Sequence, residues 1–173
     1  MIHKLSLIAL ATCLGASALI AQQTGYLKTK VDPGRAGVFV DGKYIGPAGD
    51  FGASRKYALP AGQHQIKLVE PRYEDVTTTV AIEAGKTAIL TQSMKALPVP
   101  KGPFGIIRTK SADRFAAVYV NDHYMGHNDE FDNPWQGLKL PVGEYTVRIE
   151  PTNGGPVVTK KVTVEADKTV MVE

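Results

Sequence analysis

Apolar and polar residues alternate with a period of two through most of the chain beyond residue 24. Gly25–Val31, Gly37–Val40, Lys43–Gly46, Gln63–Val69, Val76–Ile82 and Thr87–Gln92 are short alternating or β-branched runs. Such runs mark half-buried strands. Between them stand Asp32-Pro33-Gly34, Asp41-Gly42, Pro60-Ala61-Gly62 and Ala84-Gly85, residue types that set or permit the backbone angles of tight turns. No stretch there carries a 3.6-residue period, so the expectation is all-β. Asp32-Pro33-Gly34 suits a type II turn, with Gly34 at positive φ. Asp41-Gly42 predicts a two-residue hairpin within Val38–Gly46. Pairing across that turn sets Val40 opposite Lys43, Phe39 opposite Tyr44 and Val38 opposite Ile45. Opposed residues share a face. The Val38/Ile45 face then turns inward, and Phe39/Tyr44 form an aromatic pair on the other face.

The pattern is written twice. Gly25-Tyr-Leu-Lys-Thr-Lys30 aligns with Gly105-Ile-Ile-Arg-Thr-Lys110, and Ala36-Gly-Val-Phe-Val40 with Ala116-Ala-Val-Tyr-Val120. Further on, Leu59-Pro-Ala-Gly62 meets Leu140-Pro-Val-Gly143, and Val80-Ala-Ile-Glu-Ala-Gly-Lys-Thr87 meets Val162-Thr-Val-Glu-Ala-Asp-Lys-Thr169. The offset drifts from 80 to 82, as small loop insertions produce. Self-similarity across the whole length is a tandem repeat, with units at 25–94 and 105–173. In the second unit the inward pair becomes Val118/Met125 and the aromatic pair Tyr119/Tyr124. Residues 95–104, with three prolines in six residues, read as a semi-rigid spacer. The fold expected is two tandem, small antiparallel β-sandwich-like domains.

A Pro-Gly-Arg-Ala turn (Pro33–Ala36), a Val-x-Val-Asp-Gly hairpin, Leu59-Pro-Ala-Gly62, Glu70-Pro71 after a strand, and Val80-x-Ile-Glu-Ala-Gly-Lys-Thr87 together resemble the PEGA domain family. The second unit departs further, with Asp113-Arg-Phe-Ala116 at the turn and Asn153-Gly-Gly155 where the first has Tyr73. The resemblance implies a small all-β module of bacterial and archaeal envelope proteins, surface-layer-like in character. It brings no shared catalytic residues and no cofactor.

Residues 1–21 carry Lys4, an apolar run from Leu5 and a small-residue end, the pattern of a secretory signal peptide. Ala18 and Ala21 both fit as cleavage points, and Ala21 precedes the polar stretch. A lipoprotein attachment through Cys13 and an uncleaved anchor are the alternatives. Each version puts the remainder outside the cytoplasm, in the periplasm or at the cell surface, with no membrane span once a signal is removed. Cys13 is the sole cysteine, so the exported part holds together without disulfides. Loss of Lys4 leaves 19 basic residues, of 20, against 17 acidic ones. That near-neutral balance makes no case for nucleic acid.

Chemistry is sparse. Asp122-His123-Tyr-Met-Gly-His127-Asn-Asp129-Glu130-Phe-Asp132 is rich in metal-ligand types. Yet in a strand His123 and His127 lie about 13 Å apart, and they align with Lys43 and Pro47 on what reads as a solvated hairpin and loop. No metal site is expected. His64 aligns with Tyr145 and reads as an outer-face strand residue. No nucleophile elbow or zinc-binding helix motif occurs, so no enzyme is expected. The candidate partner-contact residues are the aromatics Phe39, Tyr44, Tyr119, Tyr124 and Trp135, with Trp135 alternatively a lid over its core. Phe51 and Phe131 align and read as plugs at the open end of each core. An envelope protein is the partner expected, with a glycan stacked on the aromatics as the alternative.

Overall fold

The computed structural model describes residues 23–53 and 55–173. The first unit runs β1 (Thr24–Asp32), β2 (Gly37–Val40), β3 (Lys43–Pro47), a 3₁₀ turn (Ala48–Phe51), β4 (Tyr57–Pro60), β5 (Gly62–Val69), β6 (Val76–Ile82) and β7 (Thr87–Ser93). The second runs β8 (Phe104–Thr109), β9 (Ala117–Val120), β10 (His123–His127), the helical turn α1 (Asn128–Phe131), β11 (Leu138–Pro141), β12 (Gly143–Glu150), β13 (Val158–Val164) and β14 (Thr169–Val172). The signal segment and Cys13 lie outside the described residues. Among those residues, no helix is long and apolar enough to cross a membrane.

Each unit is a sandwich of a three-stranded and a four-stranded sheet. The orders are β4-β1-β7 with β3-β2-β5-β6, and β11-β8-β14 with β10-β9-β12-β13. The alternation read from the sequence buries one face of each sheet. Leu27, Val38, Ile66 and Leu68 are fully enclosed in the first core, and Ile107, Val118, Val147 and Val172 in the second. One pairing in each unit departs from the antiparallel expectation. The first and last strands, β1 with β7 and β8 with β14, run parallel. Period-2 patterning is identical for the two senses, and only the path of the chain between the strands decides.

Both hairpins turn as the sequence predicts. Asp41 and Gly42 have φ of 50° and 84°, Asn121 and Asp122 of 48° and 62°, positive at both central positions as this turn requires. Phe39 opposes Tyr44 and Val40 opposes Lys43. Beyond them the register slips, and Val38 pairs with Gly46 rather than Ile45. The second hairpin slips in the same place, pairing Val118 with Gly126 rather than Met125. A bulge inserts one extra residue and bends its strand. Its purpose here is visible at the glycines, where Phe51 and Phe131 close down on the bare Cα. A Cβ on Gly126 would lie 2.7 Å from the Phe131 ring. The two phenylalanines thereby enter the cores as plugs.

Three further features differ from the sequence reading. Gly34 does not take positive φ. The turn instead spans Pro33–Ala36, with Ala36 N donating to Pro33 O, while Gly49 N donates to Gly34 O at 2.6 Å. Tyr57–Pro60 and Leu138–Pro141 form edge strands where the sequence pattern marked none, which suits proline on an edge strand. The spacer also begins late. Leu97 N donates to Arg72 O and Glu74 N to Lys95 O, so residues 95–97 still belong to the first sandwich.

Candidate functional site

The aromatic faces of the two hairpins meet each other. Tyr44, Ala117, Tyr119 and Tyr124 form a third buried cluster, with Phe39 and Val69 packed against it, and it belongs to neither core. The Tyr44 and Tyr124 ring centroids are 5.2 Å apart, and the Tyr124 hydroxyl donates to that of Tyr44 at 3.2 Å. Phe39 meets Tyr124 edge-on at 5.5 Å. Tyr44 and Tyr124 are equivalent residues of the two repeats, and a residue that packs on its own counterpart is the mark of a two-fold relation. Gly37 makes the approach possible, since a Cβ there would sit 2.5 Å from the Tyr124 ring. Burial raises the pKa of both tyrosines, so their hydroxyls stay protonated and act as hydrogen-bonding groups.

Phe39, Tyr44, Tyr119 and Tyr124 are thus taken up by packing between the units instead of lying open to a partner. Their alternation identified the face they share, but not what covers it. Charge reinforces the joint at its edge. Arg35 Nε of the first unit lies 2.8 Å from Glu70 and 4.0 Å from Glu130 of the second.

Glu70 is a group whose role sequence reasoning missed. It is 3% exposed, and it accepts hydrogen bonds from Arg35 Nε and from the Arg72 backbone and guanidinium. Burial alone pushes its pKa up, but these donors outweigh it and hold the carboxyl below its ordinary value. The contact ties the Pro33–Ala36 turn to the end of β5. In the second unit Asp113 does the same work in reverse, accepting from Thr152 N and Oγ1 at 2.7 Å each.

His64 plays a similar structural part. Its Nδ1 lies 2.6 Å from Asp41 Oδ2 and its Nε2 2.9 Å from Pro60 O, pinning the β2–β3 turn to β5. Tyr145 matches half of this, its hydroxyl donating to Pro141 O at 3.0 Å. Both His64 contacts are with acceptors, and a neutral imidazole has only one N–H to offer. The hydrogen bond to Asp41 is the main cause of a raised His64 pKa, and the bond from His64 the main cause of a lowered Asp41 pKa. A raised pKa contributes stability in full below the unfolded value, about 6.5, and loses it as pH climbs through the folded one. The lowered Asp41 pKa contributes above its unfolded value, about 3.9, and loses it as pH falls through the folded one. The pair therefore stabilises the first unit most between roughly pH 4 and 6.5. Thermal melts from about pH 6 to 8 are expected to fall in the wild type and to stay level in His64→Tyr, which copies the second unit. Parallel curves would remove His64 from the account.

The two histidines of the second hairpin separate. His123 is exposed, with Nδ1 2.8 Å from Asn121 O. His127 is buried, contrary to the solvated loop expected, because the bulge and α1 fold the chain back over the end of the core. Its Nδ1 lies 2.9 Å from Glu130 Oε1 but is not aligned as a hydrogen bond. Among the described residues, no group of three or more His, Cys, Asp or Glu gathers as metal ligands would.

Trp135 stands apart. It is 94% exposed, so it is no lid over the core. The loop that bears it is nevertheless fixed. Asn133 Oδ1 accepts from Trp135 N at 2.9 Å and Gln136 N at 2.7 Å, and Arg108 Nη2 donates to Asp132 O at 2.6 Å.

Comparison with curated proteins gave no match to the sequence. Among solved structures the chain is similar to one described as the Bacillus anthracis TIE protein, at 15% identity and a TM-score of 0.33, over 87% of this chain and 33% of that one. The chain thus spans about a third of that structure's length. Residues 24–97, the first sandwich through the residues that close on Arg72 and Glu74, match the PEGA domain.

Proposed function

We infer that this is an exported, non-catalytic protein of the cell envelope, built of two PEGA-like units that work as one interaction or spacer piece. In favour of a PEGA-like second unit, its strand order and its bulge repeat those of the first. One observation carries the reading: the aromatic joint, which converts two small sandwiches on a proline-rich spacer into a single body. Interfaces between domains of one chain are ordinarily small and permit motion. Here rings packed edge-on and tilted against one another, with a Tyr124–Tyr44 hydroxyl hydrogen bond among them, oppose it. A piece of fixed length suits spacing between envelope components, or presenting surfaces at a set distance to a protein partner.

The test has two arms. Produced from its own start in its own host with a C-terminal tag, the chain is expected in the envelope fraction, shortened at its N-terminus. Residues 22–173 in solution are expected to scatter X-rays as one compact body. A full-length cytoplasmic product, or scattering from two loosely tethered beads, would overturn the reading. The exposure of Trp135 favours a second reading, contact with carbohydrate.

A further inference from the structure

We propose that the outer face of the β11-β8-β14 sheet, with Trp135 at its rim, is a binding site for an acidic polysaccharide, one bearing carboxylates on its sugar rings. The proposal rests on the carbohydrate reading and adds the ligand class. Strand alternation puts Ile107, Thr109, Leu138, Leu140 and Val172 in the sandwich. The opposite parity, Ile106, Arg108, Lys139 and Met171, therefore faces outward, with Lys110 just past the strand end. The joint lies on the other sheet of this unit and does not cover this face, on which Lys139 and Met171 are exposed and Ile106 and Arg108 half-buried. Lys139 sits beside Ile106 and Met171 beside Arg108, which sets cations between apolar side chains.

An exposed tryptophan gains most from a flat apolar partner, and the C–H face of a pyranose ring is one. The hydrogen bonds at Asn133 and Asp132 reduce the ordering entropy lost when a ligand stacks there. Cations on the same face select the charge of what stacks. A carboxylate on a neighbouring ring meets the exposed Lys139 or Lys110, while the Arg108 guanidinium is held by Asp132 O. The first unit shows the same outward row, with Lys28 and Lys30 on β1, but no tryptophan. There the Tyr26 ring is covered by Lys56, whose Nζ lies 3.4 Å from its centroid. The site belongs to the second unit alone.

Trp135 is the sole tryptophan, so intrinsic fluorescence reports this loop directly. Titration of residues 22–173 with polygalacturonate is expected to shift the emission to the blue. Neutral dextran is expected to leave it unchanged. Raising salt to about 1 M, where the Debye length is roughly 3 Å, should weaken binding about tenfold or more. Lys139→Ala should weaken it about threefold to tenfold, and Lys67→Ala, on the other sheet of the other unit, should not. Trp135→Ala, followed by retardation in a polygalacturonate gel, should lose binding with an unchanged melting temperature. Binding of dextran as tight as that of polygalacturonate would overturn the acidic class and leave the carbohydrate reading standing. Binding of neither polymer sinks both. A shift produced by anionic phospholipid vesicles and not by polygalacturonate, or equal losses in Lys67→Ala and Lys139→Ala, also overturns the proposal.

Discussion

Tyr124→Ala is expected to uncouple the two sandwiches while leaving each one folded. The Tyr124 ring touches Tyr44, Phe39 and Tyr119 and lies over the bare Cα of Gly37, yet it contributes to neither core cluster. Truncating a buried aromatic ring costs about 3–5 kcal/mol, and at this position that cost falls on the joint. The spacer keeps the units at an effective concentration in the millimolar range, too low to hold a joint so weakened closed. Calorimetry should therefore resolve two transitions where the wild type gives one, and the radius of gyration should grow. Tyr124→Phe removes only the 3.2 Å hydroxyl contact to Tyr44, a loss of about 1 kcal/mol, and should keep the single transition. Gly37→Val probes the same joint from the other side, because its Cβ would meet the Tyr124 ring at 2.5 Å. Unit two carries Ala117 at the equivalent place, small and fully buried, so both halves of the joint depend on a short side chain at that position. A Tyr124→Ala protein that melts in one step and scatters as the wild type does would dismiss the joint as the coupling element.

The same aromatics mark where sequence reasoning reaches its limit. That Phe39 pairs with Tyr44 followed from the Asp41-Gly42 turn, because a two-residue loop fixes register. That the pair faces Tyr124 did not follow, since alternation assigns a side of a sheet and never its neighbour. The bulges at Ile45 and Met125 were hidden for a related reason. A period of two has no means of showing an inserted residue, although Gly46 and Gly126, both at positive φ, were a signal in plain view. His127 was misplaced because its alignment with Pro47 says nothing of depth. Glu70 was legible only as part of a Glu-Pro strand end, with no hint that Arg35, some 35 residues away, would reach it. Trp135 was legible as the aromatic without a counterpart. Its exposure was not, because a lone tryptophan in a variable loop serves as core lid and as contact surface with equal ease. Sequence thus delivered the architecture through turns and repetition. The surfaces depended on contacts between segments distant in the chain.

A methyl group at Gly105 is expected to take its toll within a sandwich, not at the joint. This glycine needs no unusual backbone angle. Its value is the room it leaves. Ile106 N donates to Lys168 O and Asp167 N to Phe104 O, both at 2.9 Å, and these bonds draw the start of β8 under the turn between β13 and β14. A Cβ on Gly105 would lie inside van der Waals contact of Glu165 O and 2.7 Å from Val164 Cγ1. Backbone cannot rotate away as a side chain can, so the substitution forces the two segments apart. Overpacking of this kind costs about 1–3 kcal/mol or more, and a unit of this size melts roughly 4–8 °C lower per kcal/mol lost. Gly105→Ala should accordingly lower the melting temperature of the second unit by about 10 °C or more, and Gly105→Val should leave it unfolded. The first unit supplies an internal replicate. Gly25 is clamped by Tyr26 N to Lys86 O and Gly85 N to Thr24 O, and its Cβ would meet Glu83 O and, at 2.6 Å, Ile82 Cγ2. Gly25→Ala should therefore strike the other unit equally hard. Gly154→Ala is the control that separates space from conformation. That residue has φ of 77°, and an added methyl would meet nothing within 4 Å, so it should lose only about 1 kcal/mol through backbone strain. Equal, small losses at all three glycines would mean that the close approach of first strand and last turn does not hold the sandwiches shut. A large loss at Gly25 and Gly105 alone would locate the closure of each unit at the one place where both repeats keep a glycine against a backbone oxygen.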